Sequence, residues 1–481
     1  MNYMKNFTSM MVAILLIAVC ITSCKDDEDN STLVFDTPAL YFTQVGEQAV
    51  AKFSATGMAS FMISSIPNGW KDYIQLDSKN YTITVTAPPK PTDSSELFDE
   101  SGNIILGAIS HQGSYQTAVL FVGYVPNCDL SEQYANSYLV TQKNIHYTID
   151  ATHGGAFNPT SAKIIWQSKA NLLKHVYLNN DKVSFFTNVD PNDETILFEG
   201  NAVIGAYDLE GTLLWSWHIW VSDYNPEATA LDYGGYQIMD RNLGALANAN
   251  TTENERTQSF GLYYQWGRKD PFIYPNTYRA ASGDGAIMYS GSSGNPKIVA
   301  VTSNEEIGTI RYATENPLHF ITNTPTSQRD WLASADNTLW SADEKTAYDP
   351  CPHGWRVAPA AAFEGLTIEN TPSADDWDRY GWTLAKNGVS SLYIAAGRRV
   401  YTNGKIQNIY DPQPISTIAS RTTAYEAQPW EGLYWTADTQ SDRKASALYF
   451  WYNKKDPASS GLQNAVGYGR ANGMQLRCVK E

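Results

Sequence analysis

The chain reads as a mainly β multidomain protein, two β-sandwiches followed by a loop-rich α+β unit, on three observations. Its 481 residues suffice for two to four domains. Short apolar runs alternate with period two and are broken by Pro, Gly, Asp and Asn clusters. Thr, Ser, Asn, Gly and Tyr are abundant while long helical periodicities are scarce, which favours strands.

The N-terminus is an export signal. Lys5 is the only charge before residues 10–22, an apolar run without Gly or Pro that falls short of the about 20 residues a membrane-spanning helix needs. It ends in Ile21-Thr22-Ser23-Cys24, which resembles a bacterial lipobox, so residues 1–23 are expected to be removed and Cys24 acylated. Lys25-Asp26-Asp27-Glu28-Asp29 opens a hydrophilic tether over residues 24–32 that cannot bury apolar surface. It is similar to the acidic export signal of surface lipoproteins in the Bacteroidota. The resemblance implies an outer-membrane lipid anchor and exposure on the cell surface; a simple solvated linker is the alternative.

Composition excludes some partners. With 34 basic and 50 acidic residues the net charge is −16, which repels phosphate backbones and argues against nucleic acid.

Residues 33–125 form the first expected sandwich. Ala49, Ala51 and Phe53 alternate with Val50 and Lys52, and Ile83 and Val85 sit between Thr82, Thr84 and Thr86. With Trp70 in the middle and a closing strand at residues 118–122, the pattern resembles the BACON-type immunoglobulin-like modules of surface glycan proteins. Residues 126–225 form the second. A hairpin runs from residues 201–207 through Asp208-Leu209-Glu210-Gly211, where Gly211 suits a positive-φ position, to a return strand at residues 213–221. Trp215, Trp217 and Ile219 share its core face. Trp220 and His218 lie opposite, so either this sheet is covered on both sides or Trp220 is exposed. His218 reads as a hydrogen-bonded structural histidine.

Residues 226–481 form the third unit. Its ordered motifs are Met239-Asp240-Arg241-Asn242-Leu243-Gly244, Gly261-Leu262-Tyr263-Tyr264-Gln265-Trp266-Gly267-Arg268-Lys269-Asp270, Asp349-Pro350-Cys351-Pro352-His353-Gly354-Trp355-Arg356-Val357, Ala395-Ala396-Gly397-Arg398-Arg399, Gly432-Leu433-Tyr434-Trp435 and Leu476-Arg477-Cys478-Val479. In this order they resemble the Fibrobacter succinogenes major paralogous domain, found behind immunoglobulin-like modules in surface lipoproteins, fimbrillin-family proteins included. The resemblance implies a C-type-lectin-like scaffold. Ala358-Pro359 and Thr436-Ala437 depart from the usual pattern. Local signals agree with a mixed fold: Asn403-Gly404 predicts a type I′ hairpin turn, and Pro359 predicts a short helix with Phe363 and Leu366 facing inward.

Of the five cysteines, Cys20 leaves with the signal and Cys24 takes lipid. Cys351 and Cys478 share the third unit and are the natural disulfide pair in an oxidising envelope. Cys128 is then left as a buried, unreactive thiol.

Catalytic motifs are missing: no His-Glu-x-x-His, Gly-x-Ser-x-Gly, Walker loop or dinucleotide fingerprint occurs. The seven histidines are scattered, and residues 375–378, acidic enough to suggest calcium, lack a calcium loop's spacing. No enzyme, metal or cofactor is expected. Exposed Tyr and Trp suit glycan or protein recognition, with Tyr401, Tyr410, Tyr425 and Trp430 as the candidate ligand-binding residues. The reading is a non-catalytic surface lipoprotein for adhesion or glycan binding, its partner a glycan or a host or cell-surface protein. The alternatives are a fimbrial subunit or tip partnered by other subunits through strand exchange, and a glycan-active enzyme whose site is hidden.

Overall fold

The computed structural model describes residues 30–93, 95–275, 285–292, 294–323, 329–369, 381–407, 430–452, 458 and 460–481. The signal, Cys24, the start of the tether, residues 375–378, Tyr410 and Tyr425 lie outside the described residues. The chain is a mainly β multidomain protein.

The first sandwich holds β1 (Thr32–Phe35), β2 (Ala39–Phe42), β3 (Gln48–Thr56), β4 (Met58–Ser65), β5 (Ile74–Asp77), β6 (Thr82–Thr86), β7 (Ser101–Ser110) and β8 (Tyr115–Tyr124). One sheet runs β1-β3-β6-β5 and the other β2-β8-β7-β4. Ala51, Phe53, Ile83, Val85, Leu106, Leu120 and Trp70 fill the space between them, while Val50 and Lys52 point outward. The period-two pattern survives intact.

The second sandwich repeats this topology with β9 (Asn127–Asp129), β10 (Ser137–Val140), β11 (His146–Asp150), β12 (Ser161–Gln167), β13 (Leu173–Asn179), β14 (Lys182–Thr187), a small ladder of β15 (Val189–Asp190) and β16 (Asp193–Leu197), β17 (Gly200–Tyr207) and β18 (Leu213–Val221). Its sheets run β13-β14-β11-β9 and β10-β18-β17-β12. In both sandwiches the opening strand divides: β1 and β9 join one sheet, and β2 and β10 pair parallel to the last strands β8 and β18 on the other. Four strands facing three plus a divided first strand is the immunoglobulin arrangement. The β17–β18 turn forms as the sequence predicts, with Gly211 at φ +82° and Asp208 Oδ1 accepting from the Thr212 amide at 2.7 Å.

The third unit is loop-rich, with short helices at Glu253–Gln258, Ile310–Glu315 and Ala360–Phe363. Pro359 precedes the last of these, and Phe363 and Leu366 are buried as expected. Its main sheet runs Trp430–Ser441, Lys444–Tyr452 and Gly461–Gly469 antiparallel, with Gly473–Leu476 parallel to the first. A second sheet holds Cys478–Lys480 between Gln237–Ile238 and Trp355–Val357. The Cys351–Cys478 disulfide is present and fully buried, so the last strand is tied by both a ladder and a crosslink. The 398–407 hairpin differs from the Asn-Gly prediction. Residues 401–404 form its loop and Gly404 alone takes positive φ, at +68°. Asn403 instead turns its side chain to accept from the Lys405 amide at 3.0 Å, which a type I′ turn does not require.

The question about Trp220 resolves toward burial. The outer face of the β10-β18-β17-β12 sheet is covered by the third unit, where Trp166, Val203 and Trp220 share one core with Leu262, Trp266 and Trp340. Gln167 makes a two-way backbone bridge to Tyr289, and Asn136 Nδ2 donates to the carbonyls of Ala347 and Asp349 at 2.8 and 2.9 Å. The second sandwich and third unit are therefore packed as one body. The first sandwich has its own core and meets the second through Tyr41 and Phe121, which lie against His146, His175 and Phe186.

Candidate ligand-binding surface

Most motif residues of the third unit are structural posts. Asn242 donates to the Phe260 carbonyl at 2.9 Å and accepts from Arg477, whose guanidinium lies 3.8 Å from the Tyr393 ring centroid. Gln265 donates to the carbonyls of Ile321 and Ala471 at 2.8 and 2.9 Å. The Trp266 and Trp435 indoles donate to the carbonyls of Thr436 and Tyr264. Asp349 accepts from the amides of Cys351 and Val357, both at 2.8 Å, fixing the turn that presents Cys351. A loop-rich fold leaves many backbone groups without a ladder partner, and these side chains supply the missing bonds.

Two buried polar clusters look chemical but are sealed. Lys269 donates to the hydroxyl and carbonyl of Ser216 and pairs with Asp270 at 2.8 Å, an arrangement like a serine–lysine dyad. All three side chains are buried, and the neighbouring cavity of about 10 Å³ has room for about one water. His218 bridges Ser137 Oγ and Asn201 Oδ1, each at 2.9 Å, and burial lowers its pKa to about 3. It is a neutral structural histidine, as read from the sequence. Cys128 is partly buried on β9, and burial followed by the Asp129 charge raises its pKa, which disfavours the reactive thiolate. Among the described residues, no three His, Cys, Asp or Glu side chains gather as a metal site needs.

An accessible cluster remains at one end of the main sheet. Leu433 and Trp435 bury one face of Trp430–Ser441 beside Ala445 and Ala447, and the same face continues outward through Glu431, Tyr449, Trp451 and Tyr468. These four are half-buried. Tyr449 stacks on Trp451 at 5.0 Å, meets Tyr468 edge-on at 5.9 Å and donates to Glu431 Oε1 at 3.0 Å. Gly461 lies opposite Trp451, and a Cβ there would come within 2.6 Å of the indole. Arg398 lies 5.4 Å from the Tyr468 centroid, and Arg329 lies 4.6 Å from that of Tyr401. Burial, then Glu431, raises the pKa of both Tyr449 and Tyr468, so both phenols stay protonated and able to donate. Partly exposed aromatic rings beside a carboxylate and guanidinium groups are the side-chain types that stack on a sugar's C–H surface and hydrogen-bond its hydroxyls.

Tyr401 is thus half-buried beside Arg329, at the edge of the same core that Tyr449 and Tyr468 flank. Trp430 opens the strand that carries Glu431 and pairs across to Tyr452. Tyr410 and Tyr425 lie outside the described residues. Sequence reasoning passed over Glu431, Tyr449, Trp451 and Tyr468. Their signal is the period-two spacing of Tyr449 and Trp451 beyond two buried alanines of the same face, with a glycine opposite the indole.

No family model matches the chain, and no curated protein matches it. Among solved structures, part of the chain is similar to the D00-D0 domain of Intimin, with 10% identity over 39% of this chain and 96% of that one at a TM-score of 0.16. The Yersinia pseudotuberculosis adhesin InvE matches at 14% identity over 47% of this chain and 72% of that one, with a TM-score of 0.14. The Bacteroides ovatus mixed-linkage glucan utilization locus protein SGBP-B, solved with a mixed-linkage heptasaccharide, matches at 8% identity over 39% of this chain and 43% of that one, with a TM-score of 0.12. The fold assignment rests on the strand order of this chain itself.

Proposed function

We propose that the chain is a non-catalytic surface lipoprotein, acylated at Cys24, whose third unit captures a glycan or a glycan-bearing cell surface through the aromatic end of its main sheet. The observation that carries this reading is the stack of Trp451 on Tyr449, with Glu431 bonded to the phenol, only partly buried where most large rings among the described residues are fully buried. The likeness of the motifs to the Fibrobacter succinogenes major paralogous domain, with its C-type-lectin-like scaffold, agrees with a binding role. The fimbrial alternative needs a strand missing from a sandwich. Here the four-residue strands β2 and β10 already occupy the outer edges of β8 and β18 over Phe121–Tyr124 and His218–Val221, which leaves less edge for a donated strand. A glycan array probed with the purified protein tests the proposal: binding to a restricted set of glycans, lost in Glu431→Gln, is the expected result, and an array with no selective signal contradicts it.

A further inference from the structure

The joint between the two sandwiches borders a cleft of about 570 Å³. Asp36 and Lys52 line it from the first sandwich, and Ser161, Lys163, Asn179 and Asn180 from the second. The spacing of its walls is set beside it. Pro38 at its rim leads directly into β2, which carries Tyr41, and Val176 on the opposite wall follows His175, the residue whose Nδ1 lies 2.7 Å from the Tyr41 hydroxyl. This volume falls in the range of about 300–1,000 Å³ typical of small-ligand sites.

The lining chemistry is specific. Lys52 projects outward from β3 and has no ion-pair partner among the described residues. The Lys163 ammonium lies over the Tyr207 ring, 5.4 Å from its centroid, and is likewise without a carboxylate. The carboxylate in the cleft, Asp36, accepts from the Ser54 hydroxyl at 2.9 Å on both oxygens. Two unmatched cations therefore face one engaged anion, in a chain whose net charge is −16. Ser161, Asn179 and Asn180 add hydroxyl and amide groups that both donate and accept, as a polyhydroxylated ligand requires.

We propose that this cleft is a second saccharide site, taking an anionic sugar whose carboxylate or sulfate is held between Lys52 and Lys163 while its hydroxyls meet the Ser161, Asn179 and Asn180 side. It is distinct from the aromatic end of the third unit and shares no residue with it. A ligand touching both walls binds only the docked arrangement, so it also stabilises the Tyr41–His175 joint by mass action.

The test is calorimetric titration of the purified protein with three probes of similar length: an oligogalacturonate, a heparin-derived sulfated oligosaccharide and a neutral maltooligosaccharide. The expected result is saturable binding of at least one anionic probe, with the neutral probe weaker by about tenfold or more and the affinity falling with salt. The two anionic arms separate a carboxylate ligand from a sulfate one. Lys52→Ala and Lys163→Ala, both surface changes, should each weaken that binding by about tenfold, whereas Trp451→Ala should leave it unchanged. Hydrogen exchange of Ala39–Phe42 should slow when the probe is bound. Failure of both anionic probes to bind overturns the proposal. So does affinity that survives both lysine changes, or affinity lost in Trp451→Ala, which would put the sugar at the other site.

Discussion

Tyr41 of the first sandwich stacks on His146 of the second with ring centroids 4.1 Å apart, while its hydroxyl meets His175 Nδ1 at 2.7 Å. Phe121 and Phe186 complete the joint. Burial lowers both histidines to about 4; Asp129 partly opposes this at His146, and Lys174 adds to it at His175. The Nε2 of His146 is buried without a hydrogen-bond partner, so a proton added there is not stabilised.

The joint should therefore respond to acid. Each ring is easier to protonate once undocked, where its pKa returns toward about 6.5. The docking contribution is complete above that value and is lost as pH falls from about 6.5 to about 4. Full protonation removes on the order of 3 kcal/mol per ring. Hydrogen exchange of Ala39–Phe42 and the scattering envelope should both report an opened first sandwich at pH 4.5 with its internal core intact. An unchanged envelope and unchanged exchange between pH 7 and pH 4.5 would show that the histidines do not control docking.

Loss of the disulfide should reach beyond the third unit. Cys351 and Cys478 are 127 residues apart, and closing a loop of this size stabilises by roughly 4–5 kcal/mol in the chain-entropy model. Because Trp166, Val203 and Trp220 share a core with the third unit, Cys351→Ser should lower the melting of the second sandwich together with it, and spare the first. Calorimetry should show one transition moving and one staying. A second sandwich that melts unchanged would contradict the shared core.

The sealed Lys269–Asp270 pair should behave as structure and not as chemistry. Lys269→Ala strands a buried carboxylate, and breaking such a pair costs about 3–5 kcal/mol. Lys269→Met together with Asp270→Leu should recover most of that stability in thermal melts. A double variant as unstable as the single one would mean that the cost lies in packing and not in charge.

The proposed anchoring rests on residues 1–29, and it is tested in cells. Cys24→Ala should abolish acyl labelling and release the protein from membranes, and protease applied to intact cells should remove the wild-type chain. Membrane retention of Cys24→Ala, or protease resistance until cells are broken, would contradict the anchored and surface-exposed placement respectively.

The sandwiches were legible because their pattern is local. Ala49, Ala51 and Phe53, or Ile83 and Val85, need only alternation to find the core. The two-sided cover of β18 was legible as a choice, since Trp215 and Trp220 could not share one face. Tyr224, whose ring packs on Trp220, is near in sequence, but Leu262, Trp266 and Trp340 of the same core lie more than 40 residues on and leave no local mark. The disulfide followed from counting cysteines in a chain whose sequence reads as exported. The aromatic end of the main sheet was legible only in part. Tyr401 stood out beside a turn signal, whereas Tyr449 and Trp451 follow a buried run, Ala445 to Leu448, of the same strand, so their partial exposure follows from where the core stops. The Asn403-Gly404 turn misled because a side-chain bond from Asn403 competes with the backbone geometry that its sequence favours.

The central claim is that Trp451 and Glu431 form a glycan-binding surface, and the most direct measurement is the affinity of Trp451→Ala for the glycan the array selects. The indole is partly buried, stacks on Tyr449 and packs over Gly461, so its removal should lower the melting temperature while the chain stays folded. Isothermal titration should then show binding weakened by about tenfold or more, the loss expected when an aromatic anchor of a site is truncated. Equal affinity in wild type and Trp451→Ala, with both proteins folded, would contradict the account.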